Sequence, residues 1–197
     1  MDNNEPIKII LLGESGVGKT NLINVSLGRN FNMDTLSTQS CYYSESSFTY
    51  KDHKYIYNIW DTAGQEQYRS LNKIFIQKAK IIFLVYAIDN EYSFTEIEFW
   101  LNYVKENLGE EKYILALIAN KSDLYEEQQV SDDLGRQFAQ KNNMKFNITS
   151  AKDNSSQFKK FLHESIQEYI EKYGDNLMKK DSLEIKDLKS KKKKKFC

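Results

Sequence analysis

The feature that most limits how this chain can fold is the run Gly13-Glu14-Ser15-Gly16-Val17-Gly18-Lys19-Thr20, set between the apolar segment Ile7 to Leu12 and an apolar-periodic stretch from Lys19 to Leu27. A GxxxxGK[ST] pattern carries meaning only with a strand before it and a helix after it, and both flanks are present. The glycines let backbone N–H groups converge on phosphate oxygens while the helix N-terminus adds positive potential. Lys19 reaches the β and γ oxygens, and the Thr20 hydroxyl is a ligand for Mg²⁺. Asn21 completes the expected phosphate-side set.

The rest of the chain agrees with such a unit. Short apolar runs alternate with longer helical patterns, the sequence form of stacked βαβ units and an open, mostly parallel sheet in an α/β fold. Strands are expected at Ile7 to Leu12, Tyr42 to Tyr50, Lys54 to Trp60, Ile81 to Ile88, Tyr113 to Ala119 and Lys145 to Ile148. Lys51-Asp52-His53 is too short for a crossover helix, so the second and third strands form an antiparallel hairpin at a sheet edge. Helices are expected at Lys19 to Leu27, Tyr68 to Lys78, Tyr92 to Asn107, Ser131 to Asn142 and Asn154 to Tyr173, with Asp132-Asp133 and Asn154 as helix starts.

A phosphate cradle does not choose between bases. Asn120-Lys121-Ser122-Asp123, at the end of the apolar strand Tyr113 to Ala119, supplies the choice. Asp123 can accept hydrogen bonds from guanine N1–H and the exocyclic amine; adenine presents no such pair of donors and would leave the carboxylate unpaired. In a desolvated site that mismatch costs several kcal/mol by order of magnitude. Ser150-Ala151-Lys152 follows the next short strand and joins Asn120, Lys121 and Asp123 in the predicted base-binding set.

With 197 residues, 40% of them hydrophobic, the chain can bury one good core. Cys41 and Cys197 show neither metal-ligand nor disulfide-framework spacing, which points to a reducing compartment. Met1 to Pro6 has no hydrophobic signal core, and no segment is apolar over a bilayer's thickness. The net charge of zero hides an asymmetry: residues 174–197 hold nine lysines against four acidic residues, leaving the body at −5. The expected division is a domain over 1–173 and a disordered lysine-rich arm over 174–197. An acidic body without an added RNA-docking domain argues against a ribosome-associated role. Alternation along the hairpin makes Tyr42, Tyr43, Phe48, Tyr50, Tyr55 and Tyr57 core or partner-facing rather than base-stacking platforms.

Across residues 7–173 these motifs resemble the small GTPases of the Ras superfamily, and most closely the Rab branch. The Rab-like signs are Trp60 before Asp61-Thr62-Ala63-Gly64-Gln65-Glu66, the run Gln67-Tyr68-Arg69-Ser70-Leu71, Leu84-Val85-Tyr86, and a long tail whose lysine run precedes Cys197. The resemblance implies a P-loop three-layer sandwich: a six-stranded, mostly parallel sheet with one antiparallel edge strand and five helices. It also implies a monomer cycling between GTP and GDP with Mg²⁺.

Carried over by motif, Asp61 holds Mg²⁺ through a water, Gly64 offers its N–H to the γ-phosphate, and Gln65 orients the attacking water, with Lys19 as the catalytic cation. Phe31 lies against the guanine. Thr38 ligates Mg²⁺ and senses the γ-phosphate, with Thr35 as its neighbouring alternative. Gln39-Ser40 replaces the Ile-Gly of typical Rabs, which keeps open a second function, a guanine-nucleotide-bound interaction module that does not cycle. Exchange factor, GTPase-activating protein and effectors are expected to act through residues around 32–45 and 62–79. Cys197, as a lipidation candidate, and Lys189 with Lys191 to Lys195 imply peripheral attachment to the cytosolic face of an intracellular membrane. No nucleic acid is expected as a partner.

Overall fold

The computed structural model describes residues 5–33, 42–61 and 73–174. Its element order is β1 (Ile7–Leu12), α1 (Lys19–Ser26), β2 (Tyr42–Tyr50), β3 (His53–Asp61), α2 (Lys73–Ile76), β4 (Ile81–Ala87), α3 (Glu91–Thr95), α4 (Ile97–Leu108), β5 (Ile114–Asn120), a 3₁₀ segment Ser122–Glu127, α5 (Asp132–Lys141), β6 (Lys145–Ile148) and α6 (Ser155–Tyr173). The six strands lie in the order β2-β3-β1-β4-β5-β6. Only β2 runs antiparallel, on the edge beside β3. The expected fold class is therefore the observed one.

Why β1, β4 and β5 read as unbroken apolar runs is visible in their packing. Side chains alternate between faces, and both faces are covered. Ile9, Leu11, Ile81, Phe83 and Val85 join Leu22 of α1 and Phe158 and Leu162 of α6 in one core. Ile10, Leu12, Ile82, Leu84 and Tyr86 join Ile76, Ile97, Trp100, Val104 and Ala139 in the other. Each such fully buried aliphatic or aromatic side chain contributes about 1.5–3 kcal/mol, so the central strands anchor both layers. Tyr55 and Tyr57 are buried, Phe48 and Tyr50 pack against the first core, and Tyr43 is exposed. The hairpin aromatics are thus packing residues, apart from Tyr43 and from Tyr42, whose side chain lies outside the description.

Several boundaries differ from expectation for local reasons. Tyr50 pairs with His53, so the hairpin turn has two residues rather than three. Lys51 and Asp52 both take positive φ, at 47° and 64°. That is the backbone of a tight turn matched to strand twist, formed here without glycine. Between α3 and α4, Glu96 keeps right-handed helical angles, accepts from Trp100 N and donates to Tyr92 O (both 3.1 Å). The two segments thus form one helical body, which leaves five α-helical bodies among the described residues. For α5 the cap is Ser131, which accepts from Leu134 N, while Asp132 and Asp133 occupy the first turn. Asn154 precedes α6 but its side chain does not cap it. Of the helix expected over 68–78, only Lys73–Ile76 falls among the described residues as helix.

Among the described residues no helix is long and apolar enough to cross a membrane.

Candidate functional site

The strand registers gather the motif loops along one edge. Leu11 pairs with Asp61, Leu12 with Leu84, Ala87 with Asn120 and Ala119 with Ile148, so the chain leaves β1, β3, β5 and β6 on the same carboxyl-end side of the sheet. The connections from β1 and β3 depart to opposite sides of β1, and in open α/β sheets ligands bind at such a switch point.

After β1 the loop closes around its own backbone. Gly13 (φ 146°) and Gly18 (φ 95°) take angles that L side chains rarely adopt. A Cβ on Gly13 would overlap the Val85 carbonyl oxygen, and one on Gly18 the Asn120 amide nitrogen. Gly18 is the N-cap of α1 and supplies no side-chain acceptor, so none of the N–H groups of the first turn is capped by its own N-cap residue. Lys19 is 5% exposed, and its Nζ donates to the carbonyls of Gly13 (2.6 Å) and Glu14 (2.8 Å). Two positions closed to a Cβ, a helix start whose N-cap glycine offers no side-chain cap and a buried ammonium make a cradle that fits a polyphosphate. Thr20 opens α1, and Asp61, 7% exposed, ends β3. One hydroxyl and one carboxylate are the hard oxygen donors that suit Mg²⁺ when phosphate oxygens and waters complete its shell. Asn21 turns elsewhere: its Nδ2 donates to Asn32 O (3.0 Å) and its Oδ1 accepts from Asn32 N (3.2 Å). This reciprocal pair fixes the segment after α1, where Phe31 is half-buried against the first core.

In the loops after β5 and β6 the side chains predicted to bind the base are held by one another. Asn120 is 1% exposed; its Nδ2 donates to Val17 O (2.7 Å) and its Oδ1 accepts from Thr149 Oγ1 (3.1 Å). Ser150 Oγ donates to Asp123 Oδ1 (2.6 Å) and accepts from Asp153 N (2.9 Å). Lys121, at φ 64°, places Nζ 3.2 Å from Asp89 Oδ2. Ser122 N donates to Thr149 O (3.1 Å), tying the β5 loop to the β6 loop. Ala151 is buried, whereas Lys152 is exposed.

A Ras family model matches residues 8–171. This chain belongs to the Ras family. It is also 38% identical to the Ras-related protein Rab-11B of Dictyostelium discoideum over 149 residues, 76% of this chain and 67% of that protein. It is a Rab-like small GTPase.

Within this GTPase the described structure brings together Gly13 to Thr20, Asp61, Asn120 to Asp123 and Ser150 to Lys152. Thr38, Gly64, Gln65 and Cys197 lie outside the described residues. Three contacts escape sequence reasoning. Asp89, which meets Lys121, stands in no recognisable motif. Thr149 heads the Thr-Ser-Ala-Lys block, yet its hold on Asn120 spans 29 positions. Glu14 accepts from the Trp100 indole Nε1 (3.2 Å), 86 positions away.

A third region is built on α6. His163 of α6 sits between Phe48 (ring centroids 4.7 Å apart) and Tyr57 (6.5 Å). Burial, and secondarily Lys159, lowers its pKa. Glu168 joins Lys145 and Lys172 (Nζ to carboxylate 2.6 Å in each case). Burial alone would raise its pKa, but those two hydrogen-bonded lysines hold it below the ordinary carboxylate value.

Proposed function

We propose that this GTPase binds GTP and GDP with Mg²⁺ along the carboxyl edge of its sheet, hydrolyses GTP slowly, and serves as a nucleotide-dependent switch that recruits effectors in membrane traffic. The observation that carries this reading is Asn120. Its amide joins the phosphate loop through Val17 to the base loops through Thr149, so one side chain sets the spacing between a phosphate cradle and a guanine-selecting carboxylate. Asp123, oriented by Ser150, selects guanine over adenine.

Hydrolysis is in-line attack of water on the γ-phosphorus: the new O–P bond forms as the bond to the β–γ bridging oxygen breaks, and GDP leaves. Lys19 and the loop amides stabilise the charge spread over the transferring oxygens. Thr20, Thr38 and, by way of a water, Asp61 would hold Mg²⁺, which would supply neutralisation of the phosphate charge. Gln65 orients the water, and Gly64 donates its N–H to the γ-phosphate. The two arginines among the described residues are engaged elsewhere: Arg29 donates to Asn24 Oδ1 (3.2 Å), and Arg136 lies over the Phe146 ring (5.3 Å). The third, Arg69, lies outside the described residues, in the stretch 62–79 assigned to partners, and we infer that a partner supplies the arginine that, in Ras-type GTPases, raises the rate by about 10³–10⁵.

Partner binding is proposed around 32–45 and 62–79. Supporting it, exposed Tyr43 stacks on Trp60 (5.1 Å), which also meets Phe75 (6.1 Å) and lies under the Lys8 ammonium (4.6 Å). Partly wet aromatic clusters of this kind suit protein recognition. We assign the G domain to 1–173. The lysine-rich segment 174–197 with a lipidated Cys197 then provides peripheral attachment to the cytosolic face of an intracellular membrane.

Single-turnover hydrolysis of bound GTP tests the switch. Slow turnover in the wild type, suppressed in Gln65→Leu and altered in Thr38→Ala, is expected. Tight GTP binding with no turnover in any form would instead establish the non-cycling module suggested by Gln39 and Ser40.

A further inference from the structure

We propose that Trp100 is a positioning residue of the nucleotide site, whose indole N–H holds the Glu14 carboxylate turned out of the phosphate cradle. The inference rests on the reading that the loop binds guanine nucleotides. Glu14 stands inside a loop whose amides serve a polyanion, and a carboxylate there opposes the ligand's charge wherever its side chain is allowed to point inward. Its backbone and side chain are held separately. The carbonyl accepts from Lys19 Nζ (2.8 Å), which fixes the main chain, and Oε1 accepts from Trp100 Nε1 (3.2 Å), which fixes the side chain.

Trp100 is itself immobilised. It is 2% exposed on α4, within the core on that face of the sheet, with Phe99 (5.3 Å) and Tyr103 (6.1 Å) edge-on to its ring. A phenyl ring would answer the apolar packing. What it would lack is the N–H, and the indole is a donor only, matched here to an anionic acceptor in the stronger, charge-assisted kind of hydrogen bond. Removing that donor leaves the Glu14 charge in place and takes away the indole's hold on its direction.

The test measures release of a fluorescent GDP analogue, with Mg²⁺, from the full chain. Trp100→Phe is expected to raise Kd about tenfold, mainly through faster dissociation. In a Glu14→Gln background, where no charge remains to be turned away, the same substitution is expected to change Kd by less than about twofold. A benzothienyl analogue encoded at position 100 keeps the indole's shape and lacks the N–H; it should reproduce the Trp100→Phe effect and decides the matter if the phenylalanine variant does not fold. An unchanged Kd in the charged background, or an equal loss in both backgrounds, would overturn the proposal by making Trp100 a packing residue alone. Failure of the wild type to retain guanine nucleotide would strike the functional reading instead.

Discussion

At the phosphate end, the stretch from Gly13 to Gly18 is shaped by main chain: positive-φ glycines, a helix start without a side-chain cap, and a lysine returned onto two carbonyls. At the base end three side chains are each held by another: Asn120 by Thr149, Asp123 by Ser150, Lys121 by Asp89. On the function proposed above, the contrast follows from what each end would recognise. Phosphate oxygens accept from any amide, so converging N–H groups suffice and side chains mostly obstruct. A base edge is distinguished from its rival by a pair of donors, so a carboxylate must sit in one place, and a lone side chain on a loop does not stay there without a partner.

The sharpest way to break this contrast is to add one carbon at the phosphate end. In Gly13→Ala the new Cβ overlaps the Val85 main-chain carbonyl, and the backbone angle is unfavourable for alanine. The atoms met are all Val85 backbone, not a flexible side-chain tip that can move aside. A loss of at least about 3 kcal/mol in urea unfolding is expected, together with loss of copurifying nucleotide. Wild-type stability in this variant would show that the loop is not held by backbone close packing.

The joint between the two ends comes next. Asn120→Ala removes the donor to Val17 O and the acceptor of the Thr149 hydroxyl, in a place 1% exposed. Two buried polar partners then lose their bonds at about 1–3 kcal/mol each before any relaxation. Affinity for GDP is expected to fall by at least about 100-fold, with unfolding stability lowered by about 2–4 kcal/mol. If GDP affinity fell while stability held, Asn120 would be a base contact only, and the two ends would be independent.

The difference between the ends also explains what could be read from the sequence. Backbone-built function leaves a spacing rule, and glycine positions reveal it; the cradle, its flanking strand and helix, and the apolar runs of β1, β4 and β5 were all legible for that reason. Contacts made by side chains across the fold leave no local mark. Nothing near Glu14 announces Trp100, and nothing near Lys121 announces Asp89, because parallel pairing and the layer order bring them together. Local energetics are intermediate. The Lys51-Asp52 turn takes positive φ without a glycine because the long antiparallel register from Tyr42–Asp61 to Tyr50–His53 fixes its ends. Ser131 caps α5 although the acidic pair beside it looks the better start, since the helix dipole rewards charges already inside the first turn and leaves the cap to the hydroxyl before them.

The smallest effect sharpens the comparison from outside it. His163 lies between α6 and the β2–β3 hairpin, facing Phe48 and Tyr57, with Lys159, Lys160 and Glu164 on its own helix around the same shallow cavity. Its Nε2 is buried without a hydrogen-bond partner among the described residues. Burial first, and Lys159 second, lower its pKa in the fold below the unfolded value of about 6.5. As pH falls through that value the unfolded chain takes up a proton that the folded chain resists, so stability rises with pH in this window. The contribution is complete above about pH 6.5, is lost toward the lower folded-state pKa, and falls no further beneath it. His163→Phe keeps an aromatic ring against Phe48 and removes the titration. Its urea midpoint is expected to drop less than the wild type's between about pH 7.5 and 5.5, a range chosen to lie above the carboxylate titration of Glu168. Affinity for GDP at neutral pH should be unchanged, because His163 belongs to neither the phosphate loop nor the base loops. Equal acid sensitivity in the two proteins would remove His163 from the account, and a shift in GDP affinity would mean that the hairpin face and the nucleotide edge are coupled through the sheet.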